Sequence, residues 1–136
     1  MLPARANVAY SPRQDLTTKA SRYTTTGKVI PELKFAFWES MFTSRHDGQI
    51  WNSQLLRVLP NLNPGTSVAQ LRNSIRSDLG QIRTLRNRIA HHEPIFGRQI
   101  ADDLSKMRRL IGYRSTQMGG WLDAVEGVTA LIATKP

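Results

Sequence analysis

Apolar side chains recur at helical spacing between Thr66 and Pro94, and this row constrains the fold more than any other part of the chain. At about 100° per residue, its members fall within about 80° of one another. They are Val68, Leu71, Ile75, Leu79, Ile82 and Ile89. Thr66 or Ser67 can cap the helix, and Pro94 ends or bends it. The segment is therefore predicted to form one long helix that packs a single face against a core.

The rest of the chain is also predicted to be helical, since no convincing strand pattern of period two appears. Helices are predicted over residues 30–43, 49–58, 98–111 and 121–133, with a weaker one over 13–26. Gly119 and Gly120 are predicted to separate the last two. We expect an all-α bundle of roughly four to six helices, with a flexible arm over residues 1–12 and one domain over 13–134.

Composition excludes several classes of protein. The 136 residues fit one compact domain, and the absence of cysteine excludes disulfide scaffolds, cysteine zinc sites and thiol nucleophiles. This composition fits a cytoplasmic protein. No apolar run reaches the roughly 18–20 residues that span a bilayer, so no membrane partner is predicted.

The positive charge points to a polyanionic partner. A net charge of +9 and a pI near 10.9 favour nucleic acid, the commonest polyanion in a cell. The charge forms no single block. It is spread over Arg72, Arg76, Arg83, Arg86, Arg88, Arg98, Lys106, Arg108 and Arg109.

Arg86 falls inside the apolar row, four residues after Ile82 and three before Ile89. A buried cation costs several kcal/mol unless it is paired or the row meets water or another subunit. Three interpretations follow. Arg86 can pair with a buried carboxylate such as Glu32 or Glu39, lie at a dimer interface, or line a polar cleft that binds an anion.

The residues after Arg86 suit the cleavage of RNA. Asn87 can orient a phosphate, and the imidazoles of His91 and His92 are side chains of the type that accepts or donates a proton in catalysis. A histidine would deprotonate the 2′-hydroxyl while the arginine stabilises charge on the phosphate oxygens. A metal site is disfavoured, because the consecutive residues His91, His92 and Glu93 diverge by about 100° per step on a helix. No metal or cofactor is predicted.

The stretch RNRIAHHEPIF, residues 86–96, resembles the signature of Abi-like (abortive infection) proteins of the HEPN superfamily. The family motif is an arginine, a polar residue that is often asparagine, three more residues and a histidine. Here these are Arg86, Asn87 and His91. IPELKFAFW at 30–38 and GGWLDAV at 119–125 are also similar to family segments, so the resemblance covers roughly residues 28–130.

The resemblance implies an all-helical HEPN fold, usually dimeric, in which the motifs of two subunits form one composite site. It implies a metal-independent endoribonuclease of phage defence or toxin type, with Arg86, Asn87 and His91 as catalytic residues. His92 and Glu93 are predicted to support them, and Arg83 and Arg88 to bind RNA. An antitoxin or another defence-system protein is an implied partner. The alternatives are a non-catalytic HEPN module that binds RNA or a protein, and a DNA-binding regulator.

Overall fold

The computed structural model describes residues 9–135, and all regular structure in that range is helical. Residues 1–8 of the predicted arm lie outside the described residues, and the first helix begins at Pro12. The described chain contains eight α-helices, so the prediction of four to six was too low. It divides into two compact units, one ending at Met41 and one beginning at Phe42.

The first unit contains three α-helices: α1 (Pro12–Ala20), α2 (Thr26–Val29) and α3 (Phe35–Met41). Ser11 caps α1, because its hydroxyl accepts a hydrogen bond from the Gln14 backbone N–H at 3.3 Å. The continuous helix predicted over residues 30–43 is wrong. A 3₁₀ turn at Ile30–Glu32 ends where Leu33 adopts an extended backbone with ψ of 136°, and α3 starts only afterwards.

The second unit starts with a 3₁₀ turn (Ser44–His46) and a π-type turn (Asp47–Trp51) and then contains five α-helices. They are α4 (Asn52–Val58), α5 (Val68–Ala90), α6 (Ile100–Arg114), α7 (Thr116–Val125) and α8 (Val128–Ala133). The predicted long helix is α5. Ser67 caps it, accepting a hydrogen bond from the Gln70 backbone N–H at 3.3 Å.

The core of the second unit lies against α5. Trp51 stacks on Phe42 with ring centroids 4.6 Å apart and planes 11° from parallel. Such an offset pair adds to the energy of simple burial. The buried apolar residues of this unit are Trp51, Leu55, Leu62, Ile75, Leu85 and Leu104. These side chains come from α4, α5, α6, the π-type turn and the α4–α5 loop, so α5 is held from several directions.

The C-terminal helices differ from the prediction of one helix over residues 121–133. Gly119 and Gly120 lie inside α7 and do not precede it. A Cβ at position 119 would stand 3.9 Å from the Gly112 Cα, which shows how closely α6 and α7 approach. The break falls later, at Glu126, whose backbone is extended with ψ of 141°. Its carboxylate accepts a hydrogen bond from the Thr129 N–H at 2.9 Å at the start of α8.

No helix within residues 9–135 has both the length and the apolar character needed to cross a bilayer.

Candidate functional site

The last turn of α5 extends beyond the core. Leu85 is 6% exposed and is the last buried residue of the helix. From Arg86 to Pro94 every residue is exposed. Ile89, which belongs to the predicted apolar row, is 55% exposed. The RNRIAHHEP stretch is therefore displayed to solvent in this chain, and none of its side chains supports the core.

Arg86 is not the buried arginine of α5. It is exposed and makes no ion pair or side-chain hydrogen bond with residues 42–135 of its own unit, so it is not a buried cation of that unit's core. The buried arginine is Arg72, which is 7% exposed. Its guanidinium donates to both carboxylate oxygens of Asp47, at 2.8 and 3.1 Å. The helix does contain an arginine facing the core, but about four turns earlier than the sequence pattern indicated.

The helix ends in a tight, left-handed turn formed by the two histidines. His91 is the C-terminal cap of α5, and the backbone of His92 has φ of 55°. The His92 N–H donates to the Ile89 carbonyl at 3.1 Å, and the Glu93 N–H donates to the Arg88 carbonyl at 2.8 Å. This pair of hydrogen bonds defines a Schellman motif, whose left-handed position usually holds glycine. A non-glycine residue there costs about 1 kcal/mol.

Arg88 closes this turn with its side chain as well as its backbone. Its guanidinium donates to the Pro94 carbonyl at 3.2 Å and lies 4.0 Å from the Glu93 carboxylate. Its side chain is 44% exposed and that of Glu93 is 56% exposed. Glu93 is therefore a salt-bridge partner in the turn. Arg88, predicted to bind RNA, has a local role in the structure of this chain.

The segment after the turn is anchored by Arg98. Its guanidinium donates to both oxygens of Asp103, at 2.7 and 2.9 Å, and to the Gln81 carbonyl of α5 at 3.3 Å. The hydrogen bonds that Arg98 donates to Asp103 raise the pKa of Arg98 further above its usual value, so the guanidinium stays charged. The residues between the turn and this anchor include Phe96, which is 82% exposed.

The three predicted catalytic residues do not share one face of α5. Asn87 and His91 are four residues apart, which makes them neighbours on a helix surface. Arg86 lies about 100° around the helix from Asn87 and about 140° from His91. A single copy therefore displays Asn87 and His91 together, with Arg86 directed elsewhere.

Most of the basic residues singled out in the sequence are neutralised by carboxylates. Of those nine, six form ion pairs with Asp or Glu. They are Arg72, Arg88, Arg98, Lys106, Arg108 and Arg109. Arg83 is half-buried on α5, and Arg76 and Arg86 are exposed there. Between residues 84 and 97 Arg86 is thus the exposed cation that has no carboxylate partner. Its charge is therefore not offset by a neighbouring carboxylate in this segment.

A separate cleft of about 520 Å³ lies within the first unit, between α1 and Lys34. The Tyr10 hydroxyl donates to Asp15 at 2.8 Å, and the Lys34 ammonium stands 5.8 Å from the Tyr10 ring centre. Burial, followed by the hydrogen bond and charge of Asp15, raises the pKa of Tyr10 to about 12. The phenol stays protonated at neutral pH, which leaves it a hydrogen-bond donor and a poor nucleophile.

Within residues 9–135 the structure assembles no group of three or more His, Asp or Glu side chains around a common point. No family model, curated protein or solved structure matches the chain. The family resemblance therefore depends on the quoted residues alone.

The sequence pattern did not reveal the left-handed turn at His92 or the contacts of the Arg88 side chain with Glu93 and Pro94. The sequence did contain an indication that the helix ends before Pro94. Glu93 precedes Pro94, and a residue before proline avoids helical backbone, so the helix had to end earlier than the proline itself. The charge of Glu93 then offers a partner to a basic residue of the last turn.

Proposed function

We propose that this protein is a metal-independent endoribonuclease that works as a homodimer, with Arg86, Asn87 and His91 as its catalytic residues. The observation that carries the proposal is the exposure of these three residues on the part of α5 that extends past the core. Such a group suits chemistry on a phosphodiester.

The reaction needs no group beyond side chains. His91 of one copy takes the proton of a ribose 2′-hydroxyl, and the resulting oxygen attacks the adjacent phosphorus. The bond from phosphorus to the 5′-oxygen breaks, and His91 of the second copy supplies the proton that this leaving oxygen needs. Arg86 stabilises the negative charge on the two non-bridging oxygens. The products are a 2′,3′-cyclic phosphate end and a 5′-hydroxyl end, and DNA is not cleaved because it lacks the 2′-hydroxyl.

Two features support a second copy at this place. Arg86 and Ile89 continue the helical row of Ile75 and Ile82, and the row loses its cover where the catalytic residues begin. Arg86 also diverges from His91 on the helix of one copy. A twofold partner at the end of α5 would cover Ile89 and bring the arginine of one copy toward the histidine of the other.

A non-catalytic module that binds RNA or a protein partner is the second candidate. The same divergence of Arg86 from His91 favours it if the protein remains a monomer. In that case Arg86→Ala weakens RNA binding and His91→Ala leaves it nearly unchanged. A toxin role adds a further proposal, that an antitoxin or other defence protein covers the exposed end of α5.

The deciding experiment incubates the purified protein with bulk tRNA and mRNA in EDTA and reads the fragment ends. We expect fragments that end in cyclic phosphate, and a loss of at least about 100-fold in rate for His91→Ala. Arg76→Ala is the matched control for basic charge, because Arg76 is exposed on the same helix. RNA that stays intact at all protein concentrations, but is bound, would favour the second candidate.

A further inference from the structure

The turn after α5 places a histidine where glycine is preferred. His92 has φ of 55° and is the non-glycine residue with positive φ among residues 9–135. A glycine here would relieve the backbone, so with histidine the turn gains more from any side-chain contact that adds to its two backbone hydrogen bonds. The turn matters to the proposed chemistry because it begins directly at His91, the cap of the helix.

Arg88 provides such a contact. Its guanidinium donates to the Pro94 carbonyl at 3.2 Å, beside the backbone bond from the Glu93 N–H to the Arg88 carbonyl at 2.8 Å, which any residue at position 88 would keep. The same guanidinium lies 4.0 Å from the Glu93 carboxylate. Arg88 thus holds both residues that follow the histidines, and His91 and His92 lie inside the loop that it closes.

We propose that Arg88 is a positioning residue that fixes the His91 imidazole at the end of α5, and that it does not bind phosphate. The inference rests on the proposed function for what His91 does, and on the hydrogen bonds alone for how the turn is held. Glu93 makes the Arg88 guanidinium a poor site for phosphate. Its carboxylate would repel a phosphate that approached the guanidinium of Arg88, whereas Arg86 has no carboxylate partner within the described chain.

The first test measures the turn without RNA. Amide hydrogen exchange of His92 and Glu93 is recorded by NMR for the wild type, Arg88→Ala and Arg76→Ala. We expect exchange at both amides to accelerate roughly fivefold in Arg88→Ala, and to be unchanged in Arg76→Ala. Equal protection in all three proteins overturns the proposal, whatever the protein does to RNA.

The second test is a double-mutant cycle in the cleavage assay, with Arg88→Ala and His92→Gly as the two changes. Glycine closes the turn without help, so removing Arg88 should matter much less in the His92→Gly background. In the wild-type background we expect Arg88→Ala to lower kcat roughly fivefold, in step with the exchange, with KM changed less than about twofold.

A phosphate-binding role for Arg88 predicts a different set of results. If Arg88 binds phosphate, Arg88→Ala raises KM, reduces the slope of log affinity against log salt by about one, and has the same effect in both backgrounds. That pattern overturns the positioning role. If the wild type cleaves no RNA at all, the proposed function fails, and the exchange measurement still decides whether Arg88 closes the turn.

Discussion

The Arg72 guanidinium on α5 holds the carboxylate of Asp47 by two parallel hydrogen bonds, Nε to Oδ1 at 2.8 Å and the terminal nitrogen to Oδ2 at 3.1 Å. The two residues are 25 positions apart in sequence, and the Arg72 side chain is 8% exposed. This pair ties the turn that follows Phe42 to the long helix. It also shows that α5 can bury an arginine when a carboxylate meets it.

Removing Asp47 should destabilise the fold. Asp47→Ala leaves a buried guanidinium without its partner, and we expect the free energy of unfolding to fall by about 3 kcal/mol. Urea denaturation followed by circular dichroism measures it. Asp102→Ala is the control, since that carboxylate is exposed on α6 and pairs with Lys106 at the surface. Equal small decreases in the free energy of unfolding of both variants would show that the buried pair stabilises the fold no more than the surface pair does.

Removing Arg86 should affect activity and spare stability. Arg86 is exposed and makes no ion pair or side-chain hydrogen bond in the described chain, so Arg86→Ala should shift the free energy of unfolding by less than about 0.5 kcal/mol. Cleavage should fall by about 100-fold or more, because the charge on the phosphate oxygens is no longer stabilised. Arg76→Ala should alter neither quantity. An unfolded Arg86→Ala protein would return Arg86 to a structural role.

Charge at Ile89 should break the proposed dimer. Ile89 is 55% exposed in one copy, and a twofold contact would bury it twice. We expect Ile89→Glu to weaken dimerisation at least about tenfold in sedimentation equilibrium, from the loss of buried apolar area. Leu131→Glu, a change at a residue that is 70% exposed on α8, is the control. A wild type that sediments as a monomer, or a control that dissociates equally, contradicts the assigned interface.

The phenol of Tyr10 should lose its proton at a higher pH than an ordinary tyrosine. Its pKa of about 12 reflects burial first and Asp15 second, and the protonated form is the one that the fold favours. Its contribution to stability is therefore complete below the unfolded pKa near 10 and is lost as pH rises through about 12. Ultraviolet titration of the wild type and Tyr10→Phe isolates this step. Asp15→Asn should lower the pKa of Tyr10 toward 10. An unchanged pKa in this variant would show that Asp15 does not contribute to the shift.

The beginning of α5 could be predicted from sequence and its end could not. Ser67 caps the helix as expected, because an N-cap depends on residues within one turn. The end was expected at Pro94 but lies at Ala90, since the left-handed backbone of His92 closes the turn first. Glu93 before Pro94 indicated an end earlier than the proline, but histidine is not a usual residue for a left-handed cap, so the position of the turn was not indicated.

Burial along α5 was harder to predict than the helix itself. Periodicity placed Leu85 at the edge of the apolar row and Ile89 within it, yet Leu85 is buried and Ile89 is exposed. A helix pattern gives the direction of each side chain but not how far along the helix its neighbours extend. The partner of Arg72 lies in a distant turn, so the sequence row alone could not distinguish Arg72 from Arg86.

The exposed end of α5 separates two kinds of constraint on this chain. Positions 86, 87, 89 and 90 carry exposed side chains, so under the proposed function variation there can change RNA preference or partner choice with little effect on melting temperature. Selection on stability and selection on specificity then act on different codons. Most members of a library randomised at these positions should stay folded if Arg88, His92, Glu93 and Pro94 are kept.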